Sequence, residues 1–258
     1  METTKNNTPT VPPVSIVIPT LNEEGYLPLL LDSLRNISAP FDIIVVDGNS
    51  EDDTARVVSN YQTFFSGDSR LRLLSSPKRG ISEQRNRGAE QAVHEIIMFC
   101  DADIVFPAQA DYVALVSLFQ KNNYAAAAPM LVPIESGLRI QLLFGLLHFF
   151  QKSLILFRRP YFAGACLLTT KKVFAGIGGF DTAVLLGEDI DYSLRAGQTG
   201  PCGFIKIKMP VSARRFVKYG YGWIFKDFSK VIELLVRGRV KKTEDIFYPF
   251  GDFGKPPQ

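Results

Sequence analysis

The stretch Glu95-Ile96-Ile97-Met98-Phe99-Cys100-Asp101-Ala102-Asp103 (EIIMFCDAD) decides how the chain is read. An apolar run of strand length stops at two aspartates one residue apart. A strand in an open α/β sheet delivers its last side chains at its carboxyl edge, where such sheets hold their ligands. Carboxylates at i and i+2 can converge there on one hard divalent cation, which usually shares its shell with substrate phosphates. Alone, Asp-x-Asp also fits a simple turn cap, so its weight depends on its surroundings.

Working outward, the same strand-then-polar-loop pattern recurs through the first half. Strands are expected at Ser15–Pro19, Asp42–Asp47, Leu71–Leu74, Ile96–Asp101 and Ala125–Leu131. Helices are expected at Tyr26–Asn36, Thr54–Tyr61, Ser82–Val93 and Ala108–Asn122. Strands alternating with helical stretches imply a largely parallel sheet with crossover helices. The polar strand ends are Pro19-Thr20-Leu21-Asn22-Glu23-Glu24, Val46-Asp47-Gly48-Asn49-Ser50-Glu51-Asp52-Asp53-Thr54 and Asp101-Ala102-Asp103. A further polar segment, Pro77 to Gly88, carries Arg79 and opens the third helix.

The second half is less regular. Leu138–Phe157 is apolar over twenty residues, yet it contains Arg139, Gln141, His148, Gln151 and Lys152. A lysine near a bilayer centre is unfavourable by a few kcal/mol, so an amphipathic or partly buried helix is expected rather than a membrane span. Trp223–Val240 sets Ile224, Phe228, Val231, Ile232 and Leu235 at helical spacing beside Lys226, Lys230, Arg237 and Arg239. That pattern suits an interfacial helix on an anionic membrane surface, or equally a helix packed on its own domain.

At 258 residues, 46% hydrophobic and 21% charged, the chain has the composition of a globular protein of one large domain or one and a half. The charge is unevenly spread. Residues 1–138 hold 10 Lys/Arg and 17 Asp/Glu, while residues 139–258 hold 19 and 9. An acidic half beside a basic one suggests a metal-using site next to a surface that meets anions. Cys100, Cys166 and Cys202 show no paired spacing, and two histidines, His94 and His148, are too few for a histidine metal site. The start is polar and rich in Pro and Thr, with no apolar signal core, so a cytoplasmic chain is expected, peripheral on the inner face of a membrane if it associates with one. The expected division is a flexible tail at 1–13, a first half at 14–131 with the regular strand and polar-loop pattern, a second half at 132–215, and an amphipathic helix and tail at 216–258.

Taken in order, these segments resemble the inverting glycosyltransferases of family 2, over roughly Val14 to Ala196. The resemblance rests on SIVIPTLNEE, then VVD-x-x-S-x-D-x-T, then the RN-x-G helix, then Asp-x-Asp, then Gly187-Glu188-Asp189-Ile190-Asp191. It implies a GT-A-type α/β fold: a mixed, mostly parallel sheet flanked by helices, with an amphipathic C-terminal helical region. It also implies a nucleoside-diphosphate-sugar donor and Mg²⁺ or Mn²⁺. Under this resemblance Pro19, Thr20 and Glu23 would line the nucleoside pocket, Asp47 would bind base or ribose, and Arg79 would approach the nucleotide or diphosphate. Asp101 would contact ribose or sugar and Asp103 would bind the metal. Asp189 would be the general base, with Glu188 orienting the acceptor. Gly164, Arg214 and Arg215 are candidates for contacts with acceptor or diphosphate. Gly48 stands where many relatives carry a second aspartate, which bears on how the base is read.

Transfer of one sugar to a lipid-linked or other amphipathic acceptor is the expected reaction, and no nucleic acid partner is expected. The competing reading from another class is a non-catalytic nucleotide-sugar binding module. The glycine-rich first loop of nucleotidyltransferases is missing, and no P-loop motif occurs.

Overall fold

The computed structural model describes residues 11–219. The expected helix at Trp223–Val240 and most of the segments 1–13 and 216–258 lie outside the described residues. The elements are β1 (Val14–Thr20), α1 (Leu27–Arg35), β2 (Phe41–Asp47), α2 (Thr54–Tyr61), β3 (Arg70–Ser75), α3 (Ile81–Glu90), β4 (Ile96–Cys100) and α4 (Gln109–Lys121). They continue with β5 (Ala126–Pro133), α5 (Leu138–Leu156), β6 (Cys166–Thr170), α6 (Lys171–Gly176), α7 (Glu188–Ala196), β7 (Cys202–Val211) and α8 (Arg214–Tyr219).

One seven-stranded sheet runs in the order β3-β2-β1-β4-β6-β5-β7. The strands β3, β2, β1 and β4 pair in parallel, β6 is antiparallel to both β4 and β5, and β7 is parallel to β5. The expected division between residues 131 and 132 falls inside β5, and the same sheet continues across it.

The strands read as continuous apolar runs because both faces are covered. Alternate residues enter separate cores. Ile16, Ile18, Ile43, Val45 and Met98 pack with Leu27, Leu30, Leu31 and Leu34 of α1 and with Tyr112, Leu115 and Phe119 of α4. Val17, Ile44, Val46, Ile97 and Phe99 pack on the opposite face with Ala89 of α3 and Tyr192 and Ala196 of α7. Period-two side-chain alternation thus makes a three-layer sandwich. Helix α3 sits very close to the sheet: a Cβ at Gly88 would lie 2.3 Å from the Val17 side chain, so no larger residue fits there.

Helix α3 ends three residues earlier than the sequence pattern suggests. The Val93 and His94 N–H groups donate to the Ser15 hydroxyl, 3.1 Å each, which turns the chain into β4. At this amino edge of the sheet, buried Asp42 accepts from Arg70 and Arg72. Burial alone would raise its pKa, but the two guanidiniums overcome this and hold it low.

Strands β6 and β7 are absent from the sequence reading, and both matter for position. Because β6 runs against β4, its amino end lies at the carboxyl edge of β4; the Asp101 N–H donates to Ala165 O at 2.9 Å. The pairing sets Cys100 opposite Cys166 as free thiols 4.0 Å apart. The carboxyl end of β7 reaches the same edge, where the Ser212 N–H donates to Asp103 O at 3.0 Å.

Candidate active site

The carboxyl edges of β1, β2 and β4 gather the polar loops, which bind one another as they leave the sheet. The Gly48 N–H donates to Thr20 O at 2.9 Å, and the Gln84 side chain donates to both Thr20 O and Val46 O at 2.7 Å. The loop after β1 is tied to the loop after β2 by Asn22 N–H to Ser50 Oγ (2.9 Å), Glu51 N–H to Asn22 Oδ1 (2.8 Å) and Glu23 N–H to Thr54 Oγ1 (2.8 Å). Asn22 and Asn49 adopt left-handed φ values of 57° and 64°, a conformation Asn tolerates better than most residues.

Within that frame Pro19 and Thr20 are the buried last residues of β1, and the Thr20 hydroxyl donates to Val46 O at 3.4 Å. Asp47 ends β2, and its carboxylate accepts from the N–H and the hydroxyl of Ser50. Arg79 lies at the rim, more than half exposed, reaching Asn49 O (3.2 Å) and Glu51 (2.9 Å).

Two arginines organise the centre. Arg85, on α3, is 1% exposed; it donates to Glu188 Oε1 (3.0 Å), Asp101 Oδ1 (3.0 Å) and Gly164 O (2.9 Å). Its guanidinium carbon also lies 5.2 Å from the Phe180 ring centroid. Next to it, Asn86 donates to Phe180 O and accepts from the Phe180 N–H, 2.8 Å each. Arg85 and Asn86 therefore bind the first half of the chain to the segment before α7.

Gly164 is small for a reason the sequence reading did not give. A Cβ there would lie 2.5 Å from Arg85 Nη2, so the glycine admits a buried arginine. Its N–H donates to Asp189 Oδ2 at 2.7 Å, while the Ile190 N–H donates to Asp189 Oδ1 at 2.8 Å.

Arg214, at the start of α8, forms a bidentate pair with Glu23 (2.9 and 2.7 Å) and donates through Nε to Asp103 Oδ2 (2.9 Å). Its guanidinium carbon stands 4.1 Å from the Tyr26 ring centroid. The structure thus brings Glu188, Asp189, Asp101 and Gly164 together around Arg85, and Glu23 and Asp103 together around Arg214. Arg79 makes none of these contacts, and the Arg215 side chain lies outside the description.

Arg85 is the residue the sequence reading passed over. The signal was available: Ser82, Arg85 and Ala89 fall on one buried face of α3, beside Gly88. An arginine among small residues on a buried helix face needs carboxylates to balance it.

The electrostatics separate the acids. Seclusion from water, then the neighbouring Glu188 carboxylate, push Asp189 up to about 7 against the opposing pull of Arg85 and the two N–H groups. Burial likewise pushes Glu23 up to about 7, with Arg214 opposing and Asp103 and Asp101 adding to the rise. Burial would lower the pKa of Arg85, yet Asp101, Glu188 and Asp189 keep it raised, so it stays charged. A carboxylate near neutrality is suited to accept a proton at physiological pH.

Asp101 and Asp103 supply the hard oxygen donors that a divalent cation prefers. Among the described residues no cluster of three or more His, Cys, Asp or Glu forms a metal site. Paired carboxylates of this kind suit a Mg²⁺- or Mn²⁺-type ion that takes the rest of its shell from substrate phosphates.

Comparison with known proteins gives the family. Residues 15–178 match the model described as glycosyl transferase family 2. The chain is 34% identical over 116 residues to a Campylobacter jejuni GalNAc(5)-diNAcBac-PP-undecaprenol beta-1,3-glucosyltransferase, covering 44% of this chain and 35% of that protein. It is 33% identical over 109 residues to a Mycobacterium tuberculosis PGL/p-HBAD biosynthesis glycosyltransferase, covering 42% and 41% respectively. The chain therefore spans less than half the length of these curated relatives. In fold it is similar to the Pyrobaculum calidifontis mannosyltransferase PcManGT in complex with GDP-Man and Mn²⁺ (TM-score 0.63, 20% identity, covering 86% of this chain and 64% of that one). It is also similar to Staphylococcus aureus TarS 1–349 in complex with UDP-GlcNAc (TM-score 0.61, 16% identity, covering 77% and 58%). These likenesses establish the GT-A-type sheet, and the match over residues 15–178 of 258 shows that the chain belongs to glycosyl transferase family 2.

Proposed function

We propose that the protein transfers one sugar, with inversion, from a nucleoside-diphosphate-sugar to an acceptor hydroxyl or phosphate, with Asp189 as general base. The observation that carries this reading is the Asp189 carboxylate, held by two backbone N–H groups and tied through Glu188 and Arg85 to Asp101 at the Asp-x-Asp edge. The acceptor oxygen forms its bond to the anomeric carbon as the bond from that carbon to the diphosphate oxygen breaks. The acceptor proton passes to Asp189, and Glu188 orients the acceptor. Asp103, with Asp101 beside it, would hold the cation, which when bound neutralises charge on the leaving diphosphate. Arg214 exchanges its pairing with Asp103 for that diphosphate. The loops carrying Thr20, Glu23 and Asp47 receive the nucleoside. The acceptor is lipid-linked or otherwise amphipathic, a reading supported by the undecaprenol-linked substrate in the name of the Campylobacter relative.

The test pairs donor binding with transfer. Asp189→Asn is expected to bind a nucleoside-diphosphate-sugar as the parent does and to lose about 10²–10⁴ of the transfer rate. Unchanged transfer would remove Asp189 as base. Donor binding without turnover by the parent, across acceptor preparations that include lipid extracts, would favour a binding module.

A further inference from the structure

Helix α5 has an outer face that the described residues leave uncovered. Leu138, Leu142, Leu146, Phe149, Leu156 and Phe157 are between 63% and 83% exposed. The five from Leu138 to Leu156 are spaced by three, four or seven residues, which places them on one stripe, and Phe157 follows at the end of the helix. Nineteen helical residues make that stripe about 28 Å long. Isolated exposed leucines are ordinary, but an apolar row like this, broken at Lys152 and Ser153, marks a contact surface.

The charges around the stripe have one sign. Between Leu138 and Arg159 the chain has no Asp or Glu, while Arg139, Lys152, Arg158 and Arg159 are all exposed. Lys206 and Lys208 are also exposed on β7, the edge strand against which α5 packs. An apolar row whose own helix carries cations and no acids complements an anionic lipid headgroup layer with acyl chains beneath it. No described helix is long and apolar enough to cross a membrane, so the face suits a helix lying in the plane of the surface.

The inner face of the same helix reaches the active-site edge. Phe150 and Leu154 pack on Ile190, the residue after Asp189. Phe144 meets Phe216, two residues after Arg214, with ring centroids 5.9 Å apart. A surface bound to the outside of α5 is therefore one helix thickness from the segments that carry Asp189 and Arg214.

We propose that the outer face of α5 is a docking surface for an anionic lipid bilayer. The site on α5 deepens the proposed use of a lipid-linked acceptor, yet it can be tested without donor, metal or turnover, so either reading can fail alone. The full chain should co-sediment with phosphatidylglycerol-containing vesicles at low salt, far less with phosphatidylcholine vesicles, and release as salt rises. The triple variant Leu142→Glu, Leu146→Glu, Phe149→Glu should lower partitioning at least tenfold while keeping the parent's thermal transition. Hydrogen exchange of the unmodified chain should slow over residues 138–157 when anionic vesicles are added, which keeps the test open should the variant fold poorly. Equal binding by the folded variant, or no vesicle-dependent protection of 138–157, overturns the proposal. Self-association that protects 138–157 without vesicles also overturns it and assigns the face to a second copy of the chain.

Discussion

With Asp189 as the proposed base, both chemistry and pH dependence turn on one residue. Its folded pKa is raised to about 7, so as a base it becomes competent only as pH climbs through that value. Transfer measured as kcat/KM should rise through about pH 7, and Asp189→Asn should flatten that limb. The same shift acts on stability with the opposite sign. A carboxyl whose folded pKa exceeds its unfolded value of about 3.9 stabilises the fold at low pH and loses that contribution as pH rises through the folded value. The melting temperature of Asp189→Asn relative to the parent should therefore move upward between pH 5 and pH 8. Gly164 gives a second test at this scale. Gly164→Ala would put a methyl 2.5 Å from the Arg85 guanidinium, whose position is already set by three acceptors. Urea unfolding of Gly164→Ala should show a loss of about 1–3 kcal/mol, the usual cost of overpacking.

At the scale of elements, α3 joins the two halves of the site. Its buried face holds Arg85, which reaches Asp101 after β4 and Glu188 at the start of α7, while Asn86 holds Phe180. Removing the guanidinium would leave the mostly buried Glu188 and Asp101 carboxylates without their shared counter-charge. Arg85→Ala should then cost about 3–5 kcal/mol in denaturant unfolding, the range for breaking a buried ion pair. Arg85→Lys retains charge but cannot serve Glu188, Asp101 and Gly164 O at once, so it should fold yet transfer poorly. Equal stability of Arg85→Ala and the parent would show that α7 is held by its apolar contacts alone. Those contacts are substantial: Phe180 stacks on Tyr192 with centroids 4.3 Å apart and meets Phe99 edge-on at 5.0 Å.

For the whole molecule, the test is whether a nucleotide and a cation stabilise the fold together. Among the described residues the carboxyl edge carries Glu23, Asp47, Asp101, Asp103, Glu188 and Asp189, with Arg85 and Arg214 buried among them. A donor diphosphate without its cation would enter against that negative field. Differential scanning fluorimetry with UDP, GDP, CDP or ADP should show a shift with one of them in Mn²⁺ that collapses in EDTA. At about a hundred times its dissociation constant, the ligand should add about 2.7 kcal/mol of stability. A shift that survives EDTA would remove the metal from the reading and leave Arg214 as the main counter-charge for the diphosphate.

Much of this was legible in the residues themselves. Apolar runs of strand length, each ending in a polar loop, determined the parallel sheet, since a strand covered on both faces must be apolar throughout and can turn polar only where it leaves the core. The same logic placed Thr20, Asp47 and Asp101 at one edge, because parallel strands present their carboxyl ends together. What only the tertiary structure decided lies in pairings between distant parts of the chain. Strand β6 runs antiparallel in an otherwise parallel sheet, which brings Gly164 to Asp101, and no local pattern specifies strand direction. Arg214 meets Glu23 across 191 positions, and Arg85 meets Glu188 across 103. Sequence identifies charges that must be balanced when buried; which charge balances which is settled only when the sheet order sets the distances.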